Sequence, residues 1–429
     1  MTLLTLPGRL SAISTLSTMA HEVTRHLLSE LAPDIAGRFA AGTAVRVHTS
    51  FEHAERRWRA AQMACAAYGF QAYDWLATWQ RELGARQGWE VCIVELSDTD
   101  DRTLMLLPLG RQRKNGIRFA GFLGGEITDY HAPLLHPDFD TSAFAALWPV
   151  IMRLLGGVDV FRARRMPQHI EGITNPLAAL PGMRHTEQAH AATLTSTYAE
   201  FQKVRSAKMF ADTRRQLRRL NELGTVKLLI DAPPEQRAAV ITGMAQQKAR
   251  RWHETGSRDL FAEPGYLDFY QQLAAQGLSG GEIVVSALYV DDKLVATHWG
   301  MRYGSRFYWL MPGYQDGEWA RYSVGRILLD AVVQYCIAEE LAVFDLTVGD
   351  EGYKMQWADH MLPLYAGQQG YSLRGKIVVA LSDTYQQLRA WARNNERLRN
   401  LVRRLRGQRP GSASNAASNS TSNSTPNNQ

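Results

Sequence analysis

Cysteine is scarce: Cys65, Cys92 and Cys336 are three in 429 residues, far apart and without a CxxC pair. That excludes a disulfide scaffold and a cysteine-based zinc site, and suits reduced thiols in a cytoplasmic protein. No run of 18 apolar residues occurs, so no membrane-spanning helix is expected. The first residues are interrupted by Pro7, Gly8 and Arg9 and lack the charged start and solid apolar run of a signal peptide. HExxH, the P-loop, the GxSxG elbow and a GxGxxG after a strand are all missing, which argues against metalloenzymes, ATPases and nicotinamide enzymes. His131 and His136 flank Pro133, which spoils a helical metal pair, and no metal is expected.

A charge excess is present but local. The net formal charge is +6, yet nine basic and two acidic residues lie from Lys376 onward, leaving 39 basic against 40 acidic before it. The body is therefore near neutral, and nucleic acid is an unlikely partner for it on charge alone. In the basic stretch, Leu381, Tyr385, Leu388, Ala392, Leu398, Leu401 and Leu405 recur at steps near three and four, which predicts an amphipathic helix over 376–409. Its arginine face is read either as solvated or as docking on an anionic membrane surface or envelope-synthesis partner, peripheral to the inner membrane. Residues 410–429 are Ser, Asn, Ala and Thr almost throughout and are expected to be disordered. Residues 1–45 read as a lead-in.

Between these ends the pattern repeats. Strand-like runs at 89–96, 103–109 and 117–123 precede a helix near Ala143–Leu155 and a strand VDVF at 158–161. Runs at 281–290, 293–303 and 306–312 precede a helix from about Ser323 to Glu340 and a strand at 342–346, with Val-Phe again at 343–344. Asp291-Asp292 marks a hairpin turn. Two α/β (α+β) domains with mixed sheets, 46–190 and 191–375, are expected. Between them Phe201–Leu223 predicts one helix, on which Arg214 with Arg218 and Arg215 with Arg219 stack like charges at i,i+4.

The richest segment runs from His298 to Lys354. A strand ends at Leu310–Pro312, and a loop leads to Tyr322-Ser323-Val324-Gly325-Arg326 at a helix start. Ser323 reads as the N-cap, and Gly325 lets a ligand approach the first turn. The free amides and dipole of that turn suit a phosphate, with Arg321 and Arg326 adding charge.

Hairpin, strand, loop, helix and strand in this order resemble the GNAT acyl-CoA transferases. More closely, the chain resembles the BioF2-like, CelD-type acyltransferases of cellulose and exopolysaccharide gene clusters. The resembling pieces are 70–84, 104–135, 254–274, 297–314, 322–329 and 344–354, in order, within roughly 46–370. The resemblance implies two tandem GNAT-like domains, similar to the Fem-type peptidyltransferases, and acetyl-CoA or another acyl-CoA as co-substrate. It places Ser323, Val324, Gly325 and Arg326 at the donor's diphosphate and a backbone amide near Leu310–Met311 on the thioester carbonyl. LLHPDFDTSAFAALW in the first copy has no glycine at the corresponding helix start, so that copy is expected to have lost donor binding and to shape the acceptor cleft. His298 is read as the proton acceptor or as a structural strand histidine. Asp345 either caps a loop or faces the cleft as a second catalytic candidate. Lys354, beside Tyr353 in the closing motif, binds an anionic substrate or stays on the surface. Asp129 and Tyr130 are candidates for the acceptor side, and Arg250 and Arg251 read as surface charge. The acceptor implied is a sugar or amino sugar of envelope metabolism. Alternatives are aminoacyl transfer from tRNA and a non-catalytic partner of a polysaccharide synthase.

Overall fold

The computed structural model describes residues 44–394; the expected lead-in, the end of the basic helix and the tail lie outside them. The first half contains β1 (Ala44–His48), α1 (Phe51–Ala64), α2 (Tyr73–Trp79), β2 (Trp89–Val91), β3 (Ile93–Ser97), β4 (Thr103–Leu107) and β5 (Leu109–Lys114). It continues through β6 (Ile117–Phe122), β7 (Leu134–Leu135), α3 (Phe144–Leu154), β8 (Val160–Pro167), β9 (His169–Ile170) and β10 (Ile173–Thr174). The second half opens with β11 (Met183–Thr193), α4 (Tyr198–Lys203), α5 (Ala207–Asn221), β12 (Val226–Leu229), α6 (Pro234–Thr255) and α7 (Tyr266–Gln276). Then come β13 (Gly281–Val290), β14 (Lys293–Tyr303), β15 (Arg306–Tyr314), α8 (Val324–Ala338), β16 (Val343–Val348), α9 (Lys354–Trp357), β17 (His360–Gly370) and α10 (Leu373–Asn394).

The two halves are not separate bodies. One eleven-stranded sheet runs through both in the order β12-β13-β14-β15-β16-β11-β17-β8-β6-β5-β2. The expected boundary at residue 190 falls inside β11, which pairs with β16 on one side and β17 on the other. Among the described residues, 44–376 belong to one compact unit and 377–394 to a second. A single apolar cluster joins the halves: Trp75 stacks edge-on against Phe269 at 5.1 Å and lies 6.0 Å from Trp299. A second cluster fills the opposite face of the second half's sheet under α5 and α8.

Two expected strands break. The run 89–96 divides at Cys92 and the run 103–109 at Pro108, whose missing amide cannot continue a ladder. β2 and β5 stay in the large sheet, while β3 and β4 turn into a four-stranded sheet, β1-β3-β4-β7. The single helix expected over 201–223 is also two. Ser206 is extended there and its hydroxyl accepts from the Met209 amide at 3.3 Å, starting α5 afresh.

The internal repeat is physical. Val160 and Phe161 pair in parallel with Phe119 and Ala120; Val343 and Phe344 pair in parallel with Arg306 and Phe307. The second half adds one more pair, Tyr308 with Asp345, and in each half the parallel strands then diverge into a fork. Asp291, at φ 50°, turns β13 into β14, and its carboxylate accepts from the Thr225 amide at 2.9 Å.

Candidate active site

The second half's fork is built from two bulged strands. β15 pairs β14 through Trp299 with Met311 and Gly300 with Trp309, so Leu310 is the extra residue. β16 pairs β11 through His190 with Thr347 and Ala191 with Asp345, so Leu346 is extra there. A bulge residue has no ladder partner and bends its strand, which opens the fork and re-aims backbone groups. Thr347 sits at φ 58°, a conformation rare for a β-branched residue, with its amide donating to Asp345 Oδ1 at 2.8 Å. Opposite Leu310, a Cβ at Gly300 would collide with the Tyr308 carbonyl, so the bulge requires glycine beside it.

A cavity of 220 Å³ lies at the fork. Leu310 and Met311 form one wall, Thr347, Tyr353 and Lys354 the other, and Asp129, Lys248 and Tyr270 reach it from the first-half loop, α6 and α7. Five of the residues singled out in the sequence (Leu310, Met311, Asp129, Tyr353 and Lys354) therefore meet in one place. Asp129 is half-buried and accepts from Arg165 Nη1 at 2.8 Å; burial nevertheless pushes its carboxyl above the ordinary value. Burial likewise raises the Tyr353 phenol, which keeps its proton. Lys354 is no surface lysine: it is 4% exposed, donates to the Val348 carbonyl at 2.6 Å and pairs with Glu351 at 3.0 Å.

Lys248 is the residue that sequence reasoning missed. Burial pulls its amine down to about 8, with Lys354 adding to the effect and Glu351 opposing it. No carboxylate pairs with it among the described residues. A signal was available: Lys248 falls four residues after Met244 and seven after Ile241, on the buried stripe of α6.

Three expected site residues are elsewhere. His298 is fully buried with its ring stacked on Trp309, centroids 3.8 Å apart and 7° from parallel. Neither ring nitrogen has a hydrogen-bond partner, burial holds the imidazole well below its ordinary pKa, and it does not line the cavity. Asp345 and Tyr130 form the joint between the halves, with Tyr130 Oη donating to Asp345 Oδ1 at 2.7 Å and Arg306 Nη1 to Oδ2 at 3.1 Å. Both are fully buried.

At the start of α8, Ser323 is no side-chain cap. It adopts φ 52°, ψ 43°, and its carbonyl accepts from the Arg326 and Ile327 amides at 2.9 and 3.1 Å. Val324 and Gly325 come next, and their two amides have no intrahelical acceptor. The Tyr314 ring lies 3.3 Å from where a Gly325 Cβ would stand, so the end of β15 and this turn are neighbours. The Arg326 guanidinium pairs with Asp212 of α5 at 2.6 Å, while Arg321 lies over Tyr322, 4.9 Å from its centroid. Arg250, expected at the surface, holds the Tyr314 carbonyl and the Gln315 side chain and so anchors this loop; Arg251 stays exposed beside Glu254. In the first half α3 is preceded by a short turn at Thr141–Ala143, where Asp140 accepts from the Ser142 amide at 2.9 Å and hydroxyl at 2.6 Å.

Residues 207–355 match the acetyltransferase (GNAT) domain family. Over these residues the second half is similar to a GNAT acetyltransferase domain. No curated protein matches the chain. Among solved structures, FemX shares 10% identity over 75% of this chain and 96% of its own, with a TM-score of 0.52. A conserved protein of unknown function from Bacteroides thetaiotaomicron VPI-5482 shares 11% over 76% of this chain and 99% of its own, at 0.49. A tandem GNAT protein from the clavulanic acid biosynthesis pathway shares 12% over 77% and 99%, at 0.45. At these identities the likeness is one of fold.

Proposed function

We propose that the protein transfers an acetyl or other acyl group from acyl-CoA to an amine or hydroxyl of a sugar or amino sugar in envelope or exopolysaccharide synthesis, as a BioF2-like, CelD-type enzyme. The observation carrying this reading is the cavity at the fork of β15 and β16, where a bulged strand, a half-buried carboxylate and an unpaired lysine converge. The turn Val324-Gly325 receives the donor's diphosphate, with the exposed arginines of α5 beside it. An amide at the Leu310 bulge polarises the thioester carbonyl. Asp129, fixed by Arg165, orients the acceptor, and Lys248 in its neutral form takes the proton as the nucleophile attacks. Tyr353 retains the proton that the departing thiolate needs. The basic stretch from Lys376 holds the enzyme at an anionic membrane surface.

Release of free thiol from acetyl-CoA, measured across a panel of amino sugars, sugars and amines, tests this. Acceptor-dependent release is expected; its absence with every acyl thioester overturns the reading. Gly325→Trp fills the space in front of Tyr314. It should abolish the acetyl-CoA-induced thermal shift through a loss of affinity of at least ~10-fold, while the unliganded protein melts nearly as before.

One observation favours a second reading, aminoacyl transfer from tRNA. Arg214, Arg218 and Arg219 lie exposed on α5 without an ion pair among the described residues, whereas Arg215 pairs with Asp212. tRNA binding that falls steeply with salt would support it.

A further inference from the structure

The first half has a fork of its own, and it is not empty of chemistry. Between β6 and β8 lies a cavity of 390 Å³, larger than the one at the second fork. Trp89, Phe119 and the buried His131 line it, with Lys114, Arg162 and Arg164. Arg162 and Arg164 are two residues apart on β8, so their side chains leave the same face of the strand. Arg162 sits 4.8 Å from the centroid of the Phe119 ring and donates to Gln368 Oε1 at 3.1 Å. Arg164 and Lys114 make neither a hydrogen bond nor an ion pair among the described residues. The acid on this wall, Glu126, pairs with Arg258 at 3.2 Å, and nearby Glu187 faces Arg165 at 3.8 Å. Lys114, Arg162 and Arg164 are exposed at the cavity, while partial burial of both guanidiniums lowers them from their ordinary pKa. Three like charges converging on one cavity suit an anion.

We propose that this cavity is a binding site for an organic phosphate or diphosphate. Its anionic oxygens meet Lys114, Arg162 and Arg164, and its body lies on Trp89 and Phe119. The ligand is not assigned as a second acyl donor: the stretch before α3 carries no glycine, and Asp140 takes the Ser142 amide in the short turn preceding that helix. Glu126 borders both this cavity and the one at the second fork, so a phosphorylated acceptor anchored here extends toward Asp129 and Lys248. That acceptor role rests on the acyl-transfer reading; phosphate binding does not.

The test is calorimetric titration with inorganic pyrophosphate at fixed ionic strength, on the full chain and on an Arg162→Gln/Arg164→Gln variant. Both arginines are exposed enough for the exchange to leave the fold intact, which circular dichroism checks. Saturable binding is expected, weakened at least ~10-fold in the double variant, since charge-assisted bonds from guanidinium to phosphate are among the strong ones. The acetyl-CoA thermal shift should be the same in both proteins. No binding to the wild type, or equal affinity in the variant, overturns the proposal. Citrate binding in place of pyrophosphate overturns the phosphate assignment. Loss of acetyl-CoA binding in the wild type alone would sink the acyl-transfer reading and leave the pyrophosphate result standing.

Discussion

Lys248→Met should lower turnover by about 10²–10⁴-fold, the usual cost of removing a general base, and should remove the alkaline rise of the rate. The sign follows from the proton the amine must lose before it can accept another. Burial brings that loss down to about pH 8. The wild-type rate should therefore climb with unit slope below about pH 8 and level off above it. Charged and titratable neighbours tune the value: Lys354 pushes it down and Glu351 up, with Asp129 on the same wall and neutral His298 behind. Lys248→Arg should not rescue, because a guanidinium keeps its proton at these pH values. A pH–rate profile for kcat is the measurement. An unchanged rise in Lys248→Met, or an effect confined to KM, would assign Lys248 to binding alone.

The second large effect concerns stability. Arg306→Met should destabilise the protein by about 3–5 kcal/mol, the range for a buried charge stripped of its partner. Asp345 is fully buried, and Arg306 supplies its opposing charge at 3.1 Å while also contacting Glu171 at 3.1 Å and the Tyr68 ring. Without Arg306 only the Tyr130 hydroxyl and the Thr347 amide still donate to Asp345. Burial already raises the Asp345 carboxyl, and the substitution raises it further. A carboxyl whose folded pKa lies above its unfolded value costs stability as pH rises from the unfolded pKa toward the folded one. The loss in Arg306→Met should accordingly grow from about pH 4 upward, and Asp345→Asn in the same chain should recover much of it. Urea unfolding midpoints across that range decide the matter; a pH-independent loss would mean that packing, not charge, is what Arg306 supplies.

His298 and Asp345 show why alternation alone was a poor guide to the site. Both lie on strands that border the fork, and both were singled out for residue type and position. A strand's period of two says that neighbours face opposite sides, but not which side holds the cavity. The loop residue Asp129 and the closing motif at Tyr353-Lys354 were legible because they end elements instead of lying inside them. Lys248 was hidden for another reason: a lysine on a helix is ordinarily solvated, and only its place on the stripe of Ile241 and Met244 sets it apart.

The sequence by itself determined the order of strands and helices in each half, the Val-Phe pairs that begin each parallel strand, the loop before α8 and the concentration of charge after Lys376. These are local properties, written in periodicity, turn residues and composition. Only the tertiary structure decided that the halves share one sheet, that the runs broken at Cys92 and Pro108 feed two sheets, and that Asp129 of one half meets Lys248 of the other. It also decided that Asp345 meets Tyr130 and Arg306. Contacts between segments distant in the chain depend on how whole faces pack and desolvate one another, and no local pattern encodes which faces those will be.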